Sequence, residues 1–169
     1  MRASFRRDES GVSAVEFALL LPVLLALLMG TVTLFDLFRT AQSAEKGTFT
    51  VGDMLSRQTA ISDALLNSML TFVQNTVEYQ GSARLRVSSI SNTGGKLVLD
   101  WSKNVGNQTI AMAAMRYNDI PTLAVGDSVL LTEIFVPHRA FIAGFGVDSV
   151  MFENRAIHRP RFVGKIAYQ

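Results

Sequence analysis

Residues 11–35 read Gly11-Val-Ser-Ala-Val-Glu16-Phe-Ala-Leu-Leu-Leu-Pro-Val-Leu-Leu-Ala-Leu-Leu-Met-Gly-Thr-Val-Thr-Leu-Phe35 and decide how the rest of the chain is organised. The 19 residues between Glu16 and Asp36 carry no charge. At about 1.5 Å of rise per residue, a helix of that length just spans a hydrocarbon core of about 30 Å. No later stretch is apolar for so long, so the sequence predicts a single-pass protein whose transmembrane helix covers residues 12–38.

Glu16 is the unusual residue of this stretch. An ionised side chain at mid-bilayer costs on the order of 3 kcal/mol, and such residues usually have a functional partner. Glu16 lies near one end of the span, where its cost is smaller. If the chain were cut after Gly11, the new amine on Val12 would lie one helical turn from Glu16, on the same helix face.

The string from Gly11 to Leu19 resembles the N-terminus of TadE-like minor pilins, or pseudopilins, of the Tad (Flp) branch of type IV pili. In that family a prepilin peptidase cuts after the glycine, which implies a cleavage site between Gly11 and Val12. The fifth residue of the mature chain is acidic and stands next to an aromatic residue. Glu16 and Phe17 match both, which makes Glu16 the expected assembly carboxylate. The resemblance covers roughly the first 45 residues.

The resemblance implies a structural role in pilus assembly, with no enzymatic activity, catalytic residue or cofactor. The implied partners are the prepilin peptidase, other minor pilin-like subunits, the major pilin and the inner-membrane assembly platform. Arg2, Arg6 and Arg7 precede the span, so the positive-inside rule puts the N-terminus in the cytoplasm and the remainder in the periplasm. Whether the subunit enters the pilus filament is left open.

Two other interpretations of the N-terminus compete with this one. The first is an ordinary signal anchor that tethers a periplasmic binding or enzymatic domain unrelated to pili. The second is a secretory signal peptide removed near Ala41-Gln42-Ser43. A cleavable signal has a short apolar region followed directly by its cut site, whereas here Asp36 and Arg39 intervene. The spacing of Gly11 and Glu16 favours the prepilin interpretation over both.

The sequence divides into a leader (1–11), the transmembrane helix (12–38), a helical stem (39–80) and a periplasmic α+β domain (81–169). In the stem, apolar residues at helical spacing predict a second helix from about Ser56 to Tyr79, with Gly81 as its stop. Beyond it, alternating patterns predict a small, mostly antiparallel sheet. The predicted fold class is therefore α+β, with an N-terminal helix followed by a sheet.

Within the sheet the clearest prediction is a hairpin. A strand around Leu85 turns at Asn92-Thr93-Gly94-Gly95 into a second strand, with Leu97, Leu99 and Trp101 on its apolar face. The remaining predicted elements are a short helix at 107–117 and strands at 128–136, ended by Pro137, at 147–157 and at 162–167.

Composition excludes several functions. There are no cysteines, which rules out thiol catalysis and disulfides, and the net charge of +2 with no basic tract gives no basis for nucleic-acid binding. His138 and His158 lack further ligands at metal-binding spacing, so no metal site is predicted. A basic C-terminal stretch contains Arg155, His158, Arg159, Arg161 and Lys165; a solvated strand face explains it better than an acidic partner or lipid headgroups.

Overall fold

The computed structural model describes residues 11–77, 83–140, 142–144 and 147–169. It confirms the predicted α+β class, with a long N-terminal helix followed by a four-stranded antiparallel sheet. The elements are α1 (Val12–Ser56), β1 (Ala60–Ile61), α2 (Asp63–Thr76), β2 (Arg84–Thr93), β3 (Lys96–Gly106), β4 (Ser128–Arg139), β5 (Ser149–His158) and β6 (Ala167–Tyr168).

The chain divides into two compact units. One comprises the chain up to Leu37 together with Ala140–Asp148, which is the connection between β4 and β5. The other comprises Phe38–Arg139 and Ser149–Gln169, and it holds the sheet, α2 and the second part of α1. The predicted leader lies outside the described residues except for Gly11.

Helix α1 has a different character in each unit. From residue 11 to residue 29 every side chain is exposed, although nearly all of them are apolar. A helix that is apolar all round is stable only inside a larger core or a membrane. In the second unit α1 is amphipathic, and Ala44, Val51 and Leu55 are fully buried.

The sheet has the strand order β3-β2-β4-β5, and every neighbouring pair is antiparallel. On one face, Leu85, Val87 and Ile134 pack with buried residues of α1 and α2 in the main core. On the other face, Ile90 and Leu131 form a smaller core with residues from the segment between β3 and β4. The pair β1 and β6 is a separate two-residue parallel ladder.

The predicted second helix is wrong at its start. Helix α1 continues to Ser56 through both Gly47 and Gly52, and α2 begins only at Asp63. The cause is Ser62, whose side chain caps α2 by accepting a hydrogen bond from the Leu65 amide at 3.4 Å. The predicted stop at Gly81 lies outside the described residues.

The predicted helix at 107–117 is also wrong, because this segment is irregular and ends in a short 3-10 turn at Tyr117–Asp119. Side chains form hydrogen bonds with backbone groups of this segment. Arg84 donates to the carbonyl oxygen of Ile110 at 2.7 Å, and the Asn107 side chain accepts from the Thr109 amide at 2.9 Å. Such bonds offer the backbone an alternative to a helix.

The predicted hairpin is confirmed, but its faces differ from the prediction. Ser89 pairs with Trp101 and Ile90 with Leu99, so Asp100 is an extra residue in β3. This bulge places Trp101 and Leu99 on opposite faces of the sheet. Trp101 packs against the main core and donates to the Ile166 carbonyl at 2.9 Å, whereas Leu99 is 40% exposed.

Two strand boundaries also differ. Pro137 does not end β4, which continues to Arg139. Beyond Phe135, β4 is paired with β5 but not with β2, and a proline is tolerated where a strand has a neighbour on one side only. Of the predicted last strand at 162–167, only Ala167 forms a ladder, together with Tyr168.

Candidate functional site

The residues predicted to direct processing and assembly lie at the start of α1. Gly11 immediately precedes the helix, which begins at Val12. Val12 is 52% exposed and Phe17 is 57% exposed. The site is therefore an open helix end, whose apolar and acidic side chains are all available to a membrane or to another protein.

Val12 and Glu16 are separated by one helical turn. Because residues four apart in a helix lie on the same face, a charge on the Val12 amine would stand next to the Glu16 carboxylate. The Glu16 side chain is exposed and forms no ion pair or hydrogen bond with any other residue that the structure describes. Its carboxylate is thus available for a group outside the described part of the chain.

Between Glu16 and Asp36, the two threonine hydroxyls donate to backbone carbonyls of their own helix. The hydroxyl of Thr31 donates to the Leu27 carbonyl at 2.8 Å, and that of Thr33 donates to the Met29 carbonyl at 3.0 Å. Pro22 lies inside a continuous helix. Self-contained hydrogen bonding is what the hydrocarbon of a bilayer requires of a spanning segment. Among the described residues, α1 is long and apolar enough to cross a membrane.

The two histidines lie in the second unit, and each packs against an aromatic ring. His138 is 2% exposed and its ring packs beside Phe152. His158 packs against Phe49, with ring centroids 4.9 Å apart. Burial lowers the pKa of His158, with Asp53 opposing that effect and Arg161 adding to it. No cluster of three potential metal ligands occurs among the described residues.

The basic C-terminal stretch is paired within the chain. Arg155 contacts Asp119, Arg159 lies 3.1 Å from Asp127, Arg161 contacts Asp53, and Lys165 contacts Asp100. These pairs join the end of the chain to distant segments. Arg159, Arg161 and Lys165 remain at least half exposed, in line with the predicted solvated face, but each is also ion-paired.

A groove of about 670 Å³ lies between α1 and β5 in the second unit. It is lined by Gln42, Glu45, Lys46, Phe49, Thr50, Arg155, Ala156 and Ile157. Glu45 is the one carboxylate in this described lining. The charged groups of this lining are thus Glu45, Lys46 and Arg155, of which Arg155 is held by Asp119.

Sequence reasoning predicts a glycine-containing loop between β4 and β5 but misses its association with the apolar part of α1. The structure places it in the same unit as the apolar part of α1, with the carbonyl oxygen of Ile142 3.5 Å from the Thr33 hydroxyl. The signal that could have revealed it is the lack of any polar side chain between Arg139 and Asp148.

These features define the class of protein: an apolar N-terminal helix suited to single-pass membrane anchoring, followed by a small α+β unit. Residues 11–53 match the family model described as TadE-like protein, which confirms the resemblance carried by Gly11–Leu19. The match indicates a protein associated with the Tad pilus, in a family whose role is generally structural. No curated protein and no solved structure matches the chain.

Proposed function

We propose that this protein is a minor pilin-like subunit that a prepilin peptidase cuts between Gly11 and Val12. The mature chain is then held in the inner membrane by residues 12–38, with its N-terminus on the cytoplasmic side. Residues 39–80 form its stem and residues 81–169 its periplasmic domain. Its partners are other minor pilin-like subunits, the major pilin and the assembly platform. It has no catalytic role and no cofactor.

One observation supports this proposal above the others. From residue 11 to residue 29, α1 is exposed on every side, and it carries one carboxylate a turn away from Val12. A helix that served only as a tether would gain nothing from Glu16 at this position, since a charge in a membrane segment disfavours insertion. A helix that packs against the helices of other subunits can use it.

The proposed use is charge neutralisation between subunits. The amine on Val12 of one subunit pairs with the Glu16 carboxylate of its neighbour in a surrounding of low dielectric constant. Removing one partner of such a pair leaves an unpaired charge, at a cost of about 3 to 5 kcal/mol. The same two groups also lie near each other within one chain, so the pairing between subunits requires a direct test.

The tether interpretation retains one supporting observation, the groove between α1 and β5. In that case the second unit would bind a ligand, and changes in the apolar helix would leave its function intact. The two functions therefore differ in whether Glu16 matters.

The test replaces Glu16 by glutamine in the native host. We expect Glu16→Gln to preserve cleavage, abundance and membrane localisation, but to reduce co-purification with other pilin-like subunits and to impair piliation. Glu153→Gln is the matched control, because Glu153 is an exposed carboxylate on β5 that lies outside the uncharged span and is not among the groove-lining residues. Normal piliation and unchanged co-purification in the Glu16→Gln strain would favour the tether.

A further inference from the structure

The connection between β4 and β5 has an apolar sequence, and its residue Ile142 lies beside the apolar part of α1. Residues 140–147 carry no charged or polar side chain, and the loop is flanked by the exposed charges of Arg139 and Asp148. Of the described residues at its tip, Ala143 and Gly144 are exposed. Segments that lie in a membrane surface bury apolar side chains at the boundary between headgroups and acyl chains and keep charged groups outside it.

Thr33 marks where the loop lies along the helix. Its side chain is 1% exposed, whereas Val32 and Leu34 on either side are 41% and 49% exposed. The loop and this part of the helix form one compact unit, and the Ile142 carbonyl oxygen lies 3.5 Å from the Thr33 hydroxyl. Ile142 of the loop therefore lies against one face of the helix, at the position of Thr33.

That position gives the depth of the loop in the bilayer. Thr33 is three residues before Asp36, the first charged residue after the span, so it lies about 4.5 Å inside the uncharged region. Segments that lie in the plane of the membrane are buried about 5 to 10 Å into the boundary between headgroups and acyl chains. At about 4.5 Å, the loop lies just short of that range, on the headgroup side of the interface.

The hydrogen bonds of the loop suit this location. The Asp148 side chain accepts from the Gly144 amide at 2.7 Å, and the Ala140 amide donates to the Asp148 carbonyl at 3.1 Å. Irregular backbone is not tolerated in contact with lipid in the hydrocarbon core, but it is tolerated at the interface. A loop that partly satisfies its own amides can lie there.

We propose that the β4–β5 loop inserts its apolar tip into the bilayer interface beside α1, giving the protein a second membrane contact. This inference rests on the proposed function, in that α1 must span the membrane. The occupant of the loop surface is lipid, because the apolar loop is continuous with the lipid-facing part of α1 and lies at interfacial depth. A neighbouring protein is the competing occupant.

The absence of cysteines allows a direct test on the full chain. Single cysteines replace Ala143 in the loop, Leu27 in the span and Val125 in a loop of the second unit, and each carries an environment-sensitive fluorophore. Leu27 is 64% exposed and Val125 is 70% exposed, so labelling should disturb neither position. The labelled proteins are reconstituted into vesicles of phosphatidylethanolamine and phosphatidylglycerol, with nitroxide-bearing lipids or aqueous iodide as quenchers.

We expect the label at Ala143→Cys to show blue-shifted emission, quenching by nitroxides near the top of the acyl chains and protection from iodide. The label at Val125→Cys should be quenched by iodide alone. The loop proposal is wrong if iodide quenches the Ala143→Cys label while deep nitroxides quench the Leu27→Cys label. That result would still support α1 as a membrane-spanning helix. Shielding from both quenchers also overturns the proposal, because protein would cover the loop. A Leu27→Cys label open to iodide overturns the membrane span itself.

Discussion

Gly52 shows how a single residue sets the contact between α1 and the sheet. A Cβ atom at this position would lie 2.5 Å from Nδ1 and 2.7 Å from Cε1 of His158, closer than a Cβ atom approaches non-bonded atoms. Gly47, five residues earlier, is different, because its added Cβ would lie 3.9 Å from the methyl groups of Val73. Both glycines weaken a helix in isolation, and the sequence pattern gives them the same meaning. Only the structure shows that the two glycines differ in the space around them.

The pair provides a matched prediction. Gly52→Ala should lower the free energy of unfolding by about 1 to 2 kcal/mol, since overpacking costs about 1 to 3 kcal/mol and the better helix propensity of alanine offsets part of it. Gly47→Ala should leave stability unchanged or raise it by up to about 1 kcal/mol. Denaturation of the full chain in detergent, followed by the fluorescence of Trp101, measures both. Equal effects of the two substitutions would show that the close approach at Gly52 is unimportant.

At the scale of elements, the sheet contains a buried ion pair that joins its two central strands. Arg86 on β2 is paired in register with Glu133 on β4, and its Nε lies 2.5 Å from Glu133 Oε2. Their side chains are 10% and 2% exposed. Arg155 on β5 continues the row, with its Nη2 4.0 Å from Glu133 Oε1. The segment between β3 and β4 covers the same sheet face, where Asp119 contacts Arg155.

Replacing one partner of this ion pair should destabilise the sheet more than replacing both partners together. Glu133→Leu alone leaves the Arg86 charge buried, and we expect it to lower the free energy of unfolding by about 3 to 5 kcal/mol. The double variant Arg86→Met with Glu133→Leu should recover most of that loss, because replacing a buried ion pair with apolar residues is often neutral or stabilising. A double variant as unstable as the single one would mean that the row contributes through contacts other than the pair.

Across the whole molecule, the features predictable from sequence are those encoded locally. The uncharged span, the spacing of Gly11 and Glu16, and the turn at Asn92–Gly95 each depend on residues close together in the chain. The bulge at Asp100 was not predictable, because its Ser91 and Lys165 contacts come from other segments. For the same reason the basic residues near the C-terminus looked unpaired in the sequence. Their carboxylate partners lie up to 108 positions away, as in Arg161 with Asp53.

The central claim is that this chain is a processed pilin-like subunit, and the mature N-terminus tests it most directly. Intact mass and N-terminal sequencing would be measured on protein from native membranes, for the wild type and for Gly11→Leu. We predict that the wild type begins at Val12, and that Gly11→Leu retains residues 1–11 while remaining in the membrane, since its apolar span is unchanged. A wild-type protein that keeps residues 1–11, or that begins beyond Asp36, would contradict the claim.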